Sequence, residues 1–367
     1  MSLHGLGRPL APQLLSIDST DAYERGRQRG LRLGDSLETG IGIYQRLFAG
    51  AGIDLRVVQA NAESAIIATE AWSPALAAEL RGTADASGQQ LWKIAALNAR
   101  TEILSGASGA SGTKPGECST IVSTRASPVG AQTWDWHDEL AGCWHLQHVQ
   151  GAPHSFVGLT EHGILSKIGI NDAGVGIMLN ILGHQSDRAD GVPVHLVGAR
   201  VLAEAGTLEE ALQILQTAPV STSSAITVLT PDAAVTVELN PTGSQVVQPR
   251  NGMLLHTNHF LDGGLGQGEK PGLYDPDSQL RLGMLLERTR VAPLPTVAAD
   301  LVPYLVSRPG DVAELCCVPA PGATLGDRWA TLATITLDAA ARTMTVSAGS
   351  PLAAVDENAP VTTLVAG

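Results

Sequence analysis

Pro115-Gly116-Glu117-Cys118-Ser119-Thr120-Ile121-Val122 is the stretch on which the reading of this chain turns. Before it lies Ser105-Gly106-Ala107-Ser108-Gly109-Ala110-Ser111-Gly112, the lowest-complexity segment of the sequence. After it comes the aromatic-acid run Thr133-Trp134-Asp135-Trp136-His137. Gly/Ser-rich sequence behaves as a flexible tether, and the run after Cys118 is β-prone. A tether leading into a charged residue, a cysteine and a strand is how a chain looks if it is cut before the cysteine and its loose end then moves away. Cys118 is therefore read as a new N-terminus and a nucleophile acting on amides. The bland alternative is a small buried hydrophobe that starts a strand.

Secondary structure divides at the same place. Upstream, helical spacing covers 19–49, Asn61–Thr69, Pro74–Ser87 and Leu91–Leu104, with Ser73 as a candidate N-cap, Pro74 in the first turn and Gly88 as a stop. Downstream, short β-prone runs cover Ser119–Thr124, Ala131–His137, Trp144–Val149, Ser155–Thr160, Ile164–Ile170 and Gly174–Leu179, separated by Gly, Pro, Asn and Asp turns. Helices return at Val194–Glu204 and from Thr207, whose Thr-x-x-Glu to Glu210 is a capping box. Four strands then run between Ala225 and Thr257, helices cover Asp277–Arg290 and Val297–Val306, and Thr331–Leu337 with Thr343–Ala348 form a closing hairpin. Strands in clusters and helices in blocks give an α+β class, two antiparallel sheets with helices outside.

At 367 residues with 16% charged side chains, the chain is long enough for one large core. The net charge is -13, and residues 118–367 carry 12 basic against 24 acidic side chains. Such an acidic body argues against nucleic acid or an anionic membrane as partner and tolerates an amine-bearing substrate. Met1 to Asp18 lacks the pattern of a signal peptide, and no run of apolar residues is long enough to span a membrane, so the cytoplasm is the expected location. Cys118, Cys143, Cys316 and Cys317 have no CxxC spacing and suggest neither a disulfide nor a zinc framework. His145 with His148, and His256 with His259, sit three apart, a spacing that points to opposite faces of a strand and makes no metal site. Neither a Walker A nor a strand-tied GxGxxG motif supports nucleotide binding, and no cofactor is expected.

Six motifs occur in order: Ala96-Leu97-Asn98-Ala99-Arg100-Thr101-Glu102, Glu117-Cys118-Ser119-Thr120, Trp134-Asp135-Trp136, Gly169-Ile170-Asn171-Asp172-Ala173-Gly174, His256-Thr257-Asn258-His259 and Asp277-Ser278-Gln279-Leu280-Arg281. Together they resemble the penicillin acyltransferase-like family of autoproteolytic N-terminal-nucleophile (Ntn) hydrolases, which includes isopenicillin-N acyltransferase and carcinine or β-alanyl-amine hydrolases. The resemblance runs from about Asp21 to Pro351. It implies a single Ntn-hydrolase domain over residues 1–367, a four-layer αββα sandwich, and cleavage between Glu117 and Cys118 into fragments 1–117 and 118–367. It assigns Cys118, Asp135 and Asn258 to catalysis and Asn180, Arg281 and Trp134 to substrate binding. Thr133 stands where relatives often carry Asn. Asn98, Arg100 and Glu102 read first as a buried structural ion pair.

The chemistry these residues suggest stands on its own. A thiol attacks as thiolate, and a free Cys titrates near ~8.5. An N-terminal cysteine carries its own base, an α-amine with a reference pKa of about 7.7–8. The Cys118 thiol attacks the Glu117 carbonyl first and an amide substrate later, with Asp135 holding the α-amine and Asn258 the oxyanion. The resulting acyl-thioester goes to water, giving hydrolysis of a small N-acyl amine, or to an amine, giving acyl transfer. An unprocessed binding protein of the same fold is the alternative from another class. Expected partners are a small acylated amine and the chain's own cleaved N-terminal fragment; a homo-oligomer is left open.

Overall fold

The computed structural model describes residues 12–105, 118–270, 277–291, 293–356 and 360–367. Residues 106–112 of the expected tether and the Glu117 side of the expected cut lie outside the described residues. In chain order the elements are β1 (Leu14–Asp18), α1 (Ala22–Leu33), α2 (Asp35–Gly50), α3 (Leu55–Trp72), α4 (Pro74–Ser87), α5 (Leu91–Asn98) and α6 (Arg100–Ser105). Then come β2 (Thr120–Ser123), β3 (Val129–His137), β4 (Trp144–Gln150), β5 (Phe156–Glu161), β6 (Ile168–Asn171), β7 (Gly176–Ile181), α7 (Val194–Glu204) and α8 (Leu208–Thr217). The remainder is β8 (Ser224–Leu229), β9 (Ala234–Asn240), β10 (Gly243–Val247), β11 (Met253–His256), α9 (Asp277–Arg290), β12 (Trp329–Asp338), β13 (Thr343–Ala348), α10 (Pro351–Ala354) and β14 (Val361–Val365).

The strands form two sheets. One runs β1-β4-β5-β6-β7-β8-β9-β10 and the other β11-β2-β3-β12-β13-β14. Among the described residues every strand pair is antiparallel except β1 with β4. The sheets face each other: Gln132 of β3 donates to the Leu179 carbonyl of β7 at 3.0 Å, and Thr120 of β2 to Asn180 at 2.7 Å. On the outside of the larger sheet, Asn171 of β6 donates to the Leu202 and Ala205 carbonyls at the end of α7. The N-terminal helices join that layer, with Arg29 of α1 donating to Gln147 of β4 and Arg200 of α7 to the Trp72 carbonyl of α3. Outside the smaller sheet, Ile121, Val129 and Ala131 pack against Leu285 of α9 and Leu301 and Leu305 of a 3-10 segment, Ala298–Leu305. The four αββα layers expected from the sequence are present. All nine residues of β3 are buried, because a strand covered on both faces cannot alternate between core and solvent.

The helical layer rests on one close crossing. At Gly26 of α1 an added Cβ would lie 2.0 Å from the Glu79 carbonyl oxygen, and at Gly82 of α4 it would lie 2.0 Å from that of Tyr23. Small residues on both helices let the backbones touch, and Arg25 and Arg29 pair with Glu79 across the same contact, at 3.3 and 2.6 Å.

Several boundaries differ from the sequence reading. The block at 19–49 is two helices, because Gly34 takes a positive φ of 46° and turns the chain. Leu91–Leu104 is likewise broken, at Ala99. Within Ile164–Ile170 only the part from Ile168 is strand, since Thr160 and Asn98 take the Ile164 carbonyl and the Leu165 N–H. Val297–Val306 tightens to a 3-10 segment containing Pro303, which cannot donate an α-helical hydrogen bond. β1 and β14 were not anticipated. Arg100 and Glu102 do not pair with each other: Arg100 binds Glu161 at 2.8 Å, while Glu102 accepts from Val194 N and Thr222. Residues two apart on a helix face different directions.

Candidate active site

The hairpin β2–β3 positions Cys118. Its register pairs Thr120 with Gln132 and Ile121 with Ala131, and Thr133 N donates to the Ser119 carbonyl at 3.1 Å. One residue further, the register sets Cys118 opposite Trp134. Alternation then fixes the faces. Cys118, Thr120, Gln132 and Trp134 look into the space between the sheets, whereas Ser119, Ile121, Thr133 and Asp135 look toward α9 and the 3-10 layer. The Cys118 side chain is buried in the large core with Trp134, and Ile121 belongs to the outer cluster.

Two distant segments converge on the Cys118 carbonyl, and a third, at Asn258, is tied to them through Arg281. Asn180, at the end of β7, donates Nδ2 to the Cys118 carbonyl oxygen at 2.7 Å, and its Oδ1 accepts from Thr120. Arg281 of α9 donates Nη1 to the same carbonyl at 3.4 Å and to Ser119 Oγ at 3.2 Å. Its Nη2 donates to Asn258 Oδ1 at 2.9 Å, and its Nε to Asp277 Oδ2 at 2.7 Å. Because Asn258 Oδ1 is the acceptor for a guanidinium, its Nδ2 must be the donor end, and it donates to the Ile181 carbonyl at 2.9 Å. Ser278, in the first turn of α9, accepts from Asn258 N at 2.6 Å and contacts His259 Nδ1 at 2.7 Å. Asn180, Asn258 and Arg281 are all at most 1% exposed.

Asp135 sits on the other face of β3 from the thiol. Its carboxylate accepts from Thr331 of β12 and, at 3.2 Å, from Thr133, whose Oγ1 in turn accepts from Ser119 N at 3.0 Å. Thr133 thus links the carboxylate to the backbone beside Cys118. Burial pushes the Asp135 carboxyl up to about 7, against the hydrogen bonds from Thr331 and Thr133 and the Arg281 charge.

On the thiol's face lies a buried charged cluster that sequence reasoning did not anticipate. Glu161, ending β5, accepts from Arg100 at 2.8 Å and from Lys167 at 2.9 Å, and also from the Tyr44 hydroxyl. Burial raises the Glu161 carboxyl, but Arg100 and Lys167 more than offset that and hold it well below the carboxylate range. The Lys167 ammonium lies 4.2 Å from the Trp134 ring centre, and the Arg100 guanidinium 4.1 Å from that of Trp136. Trp134, expected at a substrate surface, is 1% exposed, and its Nε1 has no hydrogen-bond partner among the described residues.

The family model described as acyl-coenzyme A:6-aminopenicillanic acid acyl-transferase matches residues 123–353. The chain belongs to this family. In this acyl-transferase family member the matched span contains Asp135, Asn180, Asn258 and Arg281 and begins just after Cys118. The chain is similar to the acyl-coenzyme A:6-aminopenicillanic-acid-acyltransferase 40 kDa form of Emericella nidulans, 28% identical over 185 residues. That match covers 50% of this chain and 51% of the relative, so the chain spans about half the length of the curated relative it matches. Among solved structures, penicillin V acylase from Agrobacterium tumefaciens superposes with a TM-score of 0.44 and 13% identity, over 68% of this chain and 86% of that one. A mutant conjugated bile acid hydrolase from Clostridium perfringens gives 0.43 and 12%, over 67% and 92%. Among the described residues of this family member, no helix is long and apolar enough to cross a membrane.

Proposed function

We propose that this chain is a self-processing cysteine amidohydrolase that cleaves small N-acyl amines through an acyl-thioester. The observation that carries the proposal is the convergence of Asn180 and Arg281 on the Cys118 carbonyl, with Arg281 also fixing the amide of Asn258. Such an investment in one cysteine's backbone is what a nucleophile requires: its sulfur must be held while bonds change around it.

In the proposed sequence the Cys118 thiolate adds to the Glu117 carbonyl carbon. The C–N bond to Cys118 breaks, the nitrogen takes a proton and becomes the α-amine, and water opens the thioester. The mature chain then has a base tethered to its nucleophile. Asp135, on the backbone face of the hairpin, is suited to the amine rather than the sulfur, and an α-ammonium beside it would draw its carboxyl back down. During turnover the amine takes the thiol proton and passes it to the leaving amine, while Asn258 donates to the oxyanion. Asn180 and Arg281 are assigned to holding the nucleophile's backbone.

A second reading, acyl transfer to an incoming amine, draws support from the family's description. A panel of N-acyl amines offered to the processed protein, with and without a second amine, tests both. Hydrolysis predicts free acid at a rate indifferent to the added amine. A new amide formed at the expense of acid assigns transfer, and the absence of any turnover across the panel counts against the catalytic reading.

A further inference from the structure

His256 and Glu238 are buried between the sheets, and none of the chemistry above uses them. They are 1% and 0% exposed. Strand register brings them together. His256 of β11 pairs with Thr120 of β2, which pairs with Gln132 of β3. On the other sheet Glu238 of β9 pairs with Ala225 of β8, which pairs with Asn180 of β7. Side chains directly opposite on antiparallel strands share a face, so these are two rows looking at each other across the core. Thr120 meets Asn180 at 2.7 Å, and further along the same rows His256 Nε2 meets Glu238 Oε1 at 2.9 Å.

The imidazole then fixes the peptide that carries the proposed oxyanion donor. Its Nδ1 lies 2.8 Å from the Thr257 carbonyl oxygen. A carbonyl only accepts, so Nδ1 carries the hydrogen and donates. The N–H of the same peptide unit, that of Asn258, donates to Ser278 Oγ at 2.6 Å. The peptide plane before Asn258 is thus held at both ends. Glu238 also closes the turn beyond it, accepting from Leu261 N at 2.6 Å and Asp262 N at 3.0 Å. One carboxylate therefore grips the chain before and after Asn258. A buried acid–imidazole pair is a weak device for joining two sheets, since an apolar pair of like volume often serves as well or better. What an apolar pair lacks is an N–H aimed at a carbonyl.

We propose that His256, oriented by Glu238, is a positioning residue that aims the Asn258 amide at the developing oxyanion. This rests on the oxyanion role given to Asn258 above and deepens it. Arg281 fixes the side-chain end of Asn258 through Oδ1, and His256 fixes its backbone end through the Thr257 carbonyl. Both ends must hold, because a misplacement of about 1 Å can cost about 10²-fold in rate.

The test compares two reactions of Cys118 in the full-length chain. Acylation by p-nitrophenyl acetate joins the sulfur to the acetyl carbon, passes through an oxyanion and expels p-nitrophenolate; alkylation by iodoacetamide forms no oxyanion. Intact mass of the chain bearing Cys118 follows both, with Cys118→Ala as the blank. His256→Gln puts its amide nitrogen where Nε2 was, which keeps the donor for Glu238 and loses the one for Thr257. It should slow acylation about tenfold or more and leave alkylation unchanged. His256→Asn puts its amide nitrogen where Nδ1 was and should restore most of the acylation rate. In an Asn258→Asp background His256→Gln should have no further effect, because residues acting through one group are not additive. Thermal unfolding checks each fold; if His256→Gln does not fold, Glu238→Gln replaces it in the cycle, with slower acylation, unchanged alkylation and no effect beside Asn258→Asp expected again. Equal slowing of both reactions, a loss of the same size in both backgrounds, or slow acylation in folded His256→Asn overturns the role of His256 and leaves that of Asn258 intact. Unslowed acylation in folded His256→Gln does the same. Normal acylation in Asn258→Asp overturns the oxyanion reading itself.

Discussion

Asn180 Nδ2 donates to the carbonyl oxygen of Cys118 at 2.7 Å while its Oδ1 accepts from Thr120, so one amide ties β7 to both sides of the first turn of β2. Asn180→Ala would leave the buried Cys118 carbonyl with its longer bond from Arg281 and the buried Thr120 hydroxyl with its bond from Gln132, at a cost of roughly 1–3 kcal/mol in all. Urea unfolding of the variant should show a lowered midpoint, and self-cleavage should slow because the carbonyl next to the sulfur is then held by the longer bond from Arg281.

Asn258 is oriented by Arg281, and two substitutions separate its donor from its acceptor role. Asn258→Asp keeps an acceptor for Arg281 Nη2 but has no N–H to offer an oxyanion. It should lose about 10²–10³-fold in kcat with KM little changed. Steady-state kinetics on the preferred amide decide the point: near-normal kcat in Asn258→Asp would remove Asn258 from the oxyanion role.

Asp135 links burial to pH. Its folded pKa of about 7 stands above the aspartate value of 3.8. Between those values the folded chain keeps a proton that the unfolded chain has released. The stabilisation is therefore fully present below about pH 4 and lost as pH rises through 7. At ~1.4 kcal/mol per unit, the loss amounts to ~4 kcal/mol. Denaturation of the single-chain Cys118→Ala protein between pH 4 and 8 should show this fall, and adding Asp135→Asn should flatten it.

The crossing of α1 and α4 leaves no room for a methyl group. Gly26→Ala places a Cβ against the Glu79 carbonyl and Gly82→Ala does the same at Tyr23. Each should cost about 1–3 kcal/mol or more, read as a lower thermal midpoint. Gly40→Ala, where an added Cβ meets nothing within 4 Å, is the control and should leave the midpoint unchanged or raised.

The legible parts of this chain were those carried by local pattern. Periodicity and caps located α4, α7 and α9, and turn residues located the meander from β4 to β7, because each depends on residues a few positions apart. Asp135, Asn258 and Arg281 stood out as motif residues and Asn180 through the family resemblance, and the structure gathers Asn180, Asn258 and Arg281 around the Cys118–Ser119 backbone. Thr331 and Lys167 left no such signal. Thr331 reaches Asp135 across 196 residues, through the pairing of β12 with β3. Lys167 lies inside the run Ile164–Ile170 with no motif to mark it, and Arg100, which shares Glu161 with it, read as the mate of Glu102. Only sheet topology, which sets Glu161 beside the N-terminal helices, reveals the buried cluster. Alternation along β3 also sends Asp135 to the backbone face rather than to the thiol, a distinction that spacing along the sequence does not show.

The intact mass of the purified protein, with the N-terminal sequence of each fragment, decides whether the chain cuts itself. Self-processing predicts two chains, one ending at Glu117 and one beginning at Cys118, and a single uncut chain for Cys118→Ala. Active wild-type protein running unbroken from Met1 to Gly367, or a Cys118→Ala protein that still separates at this bond, would contradict it.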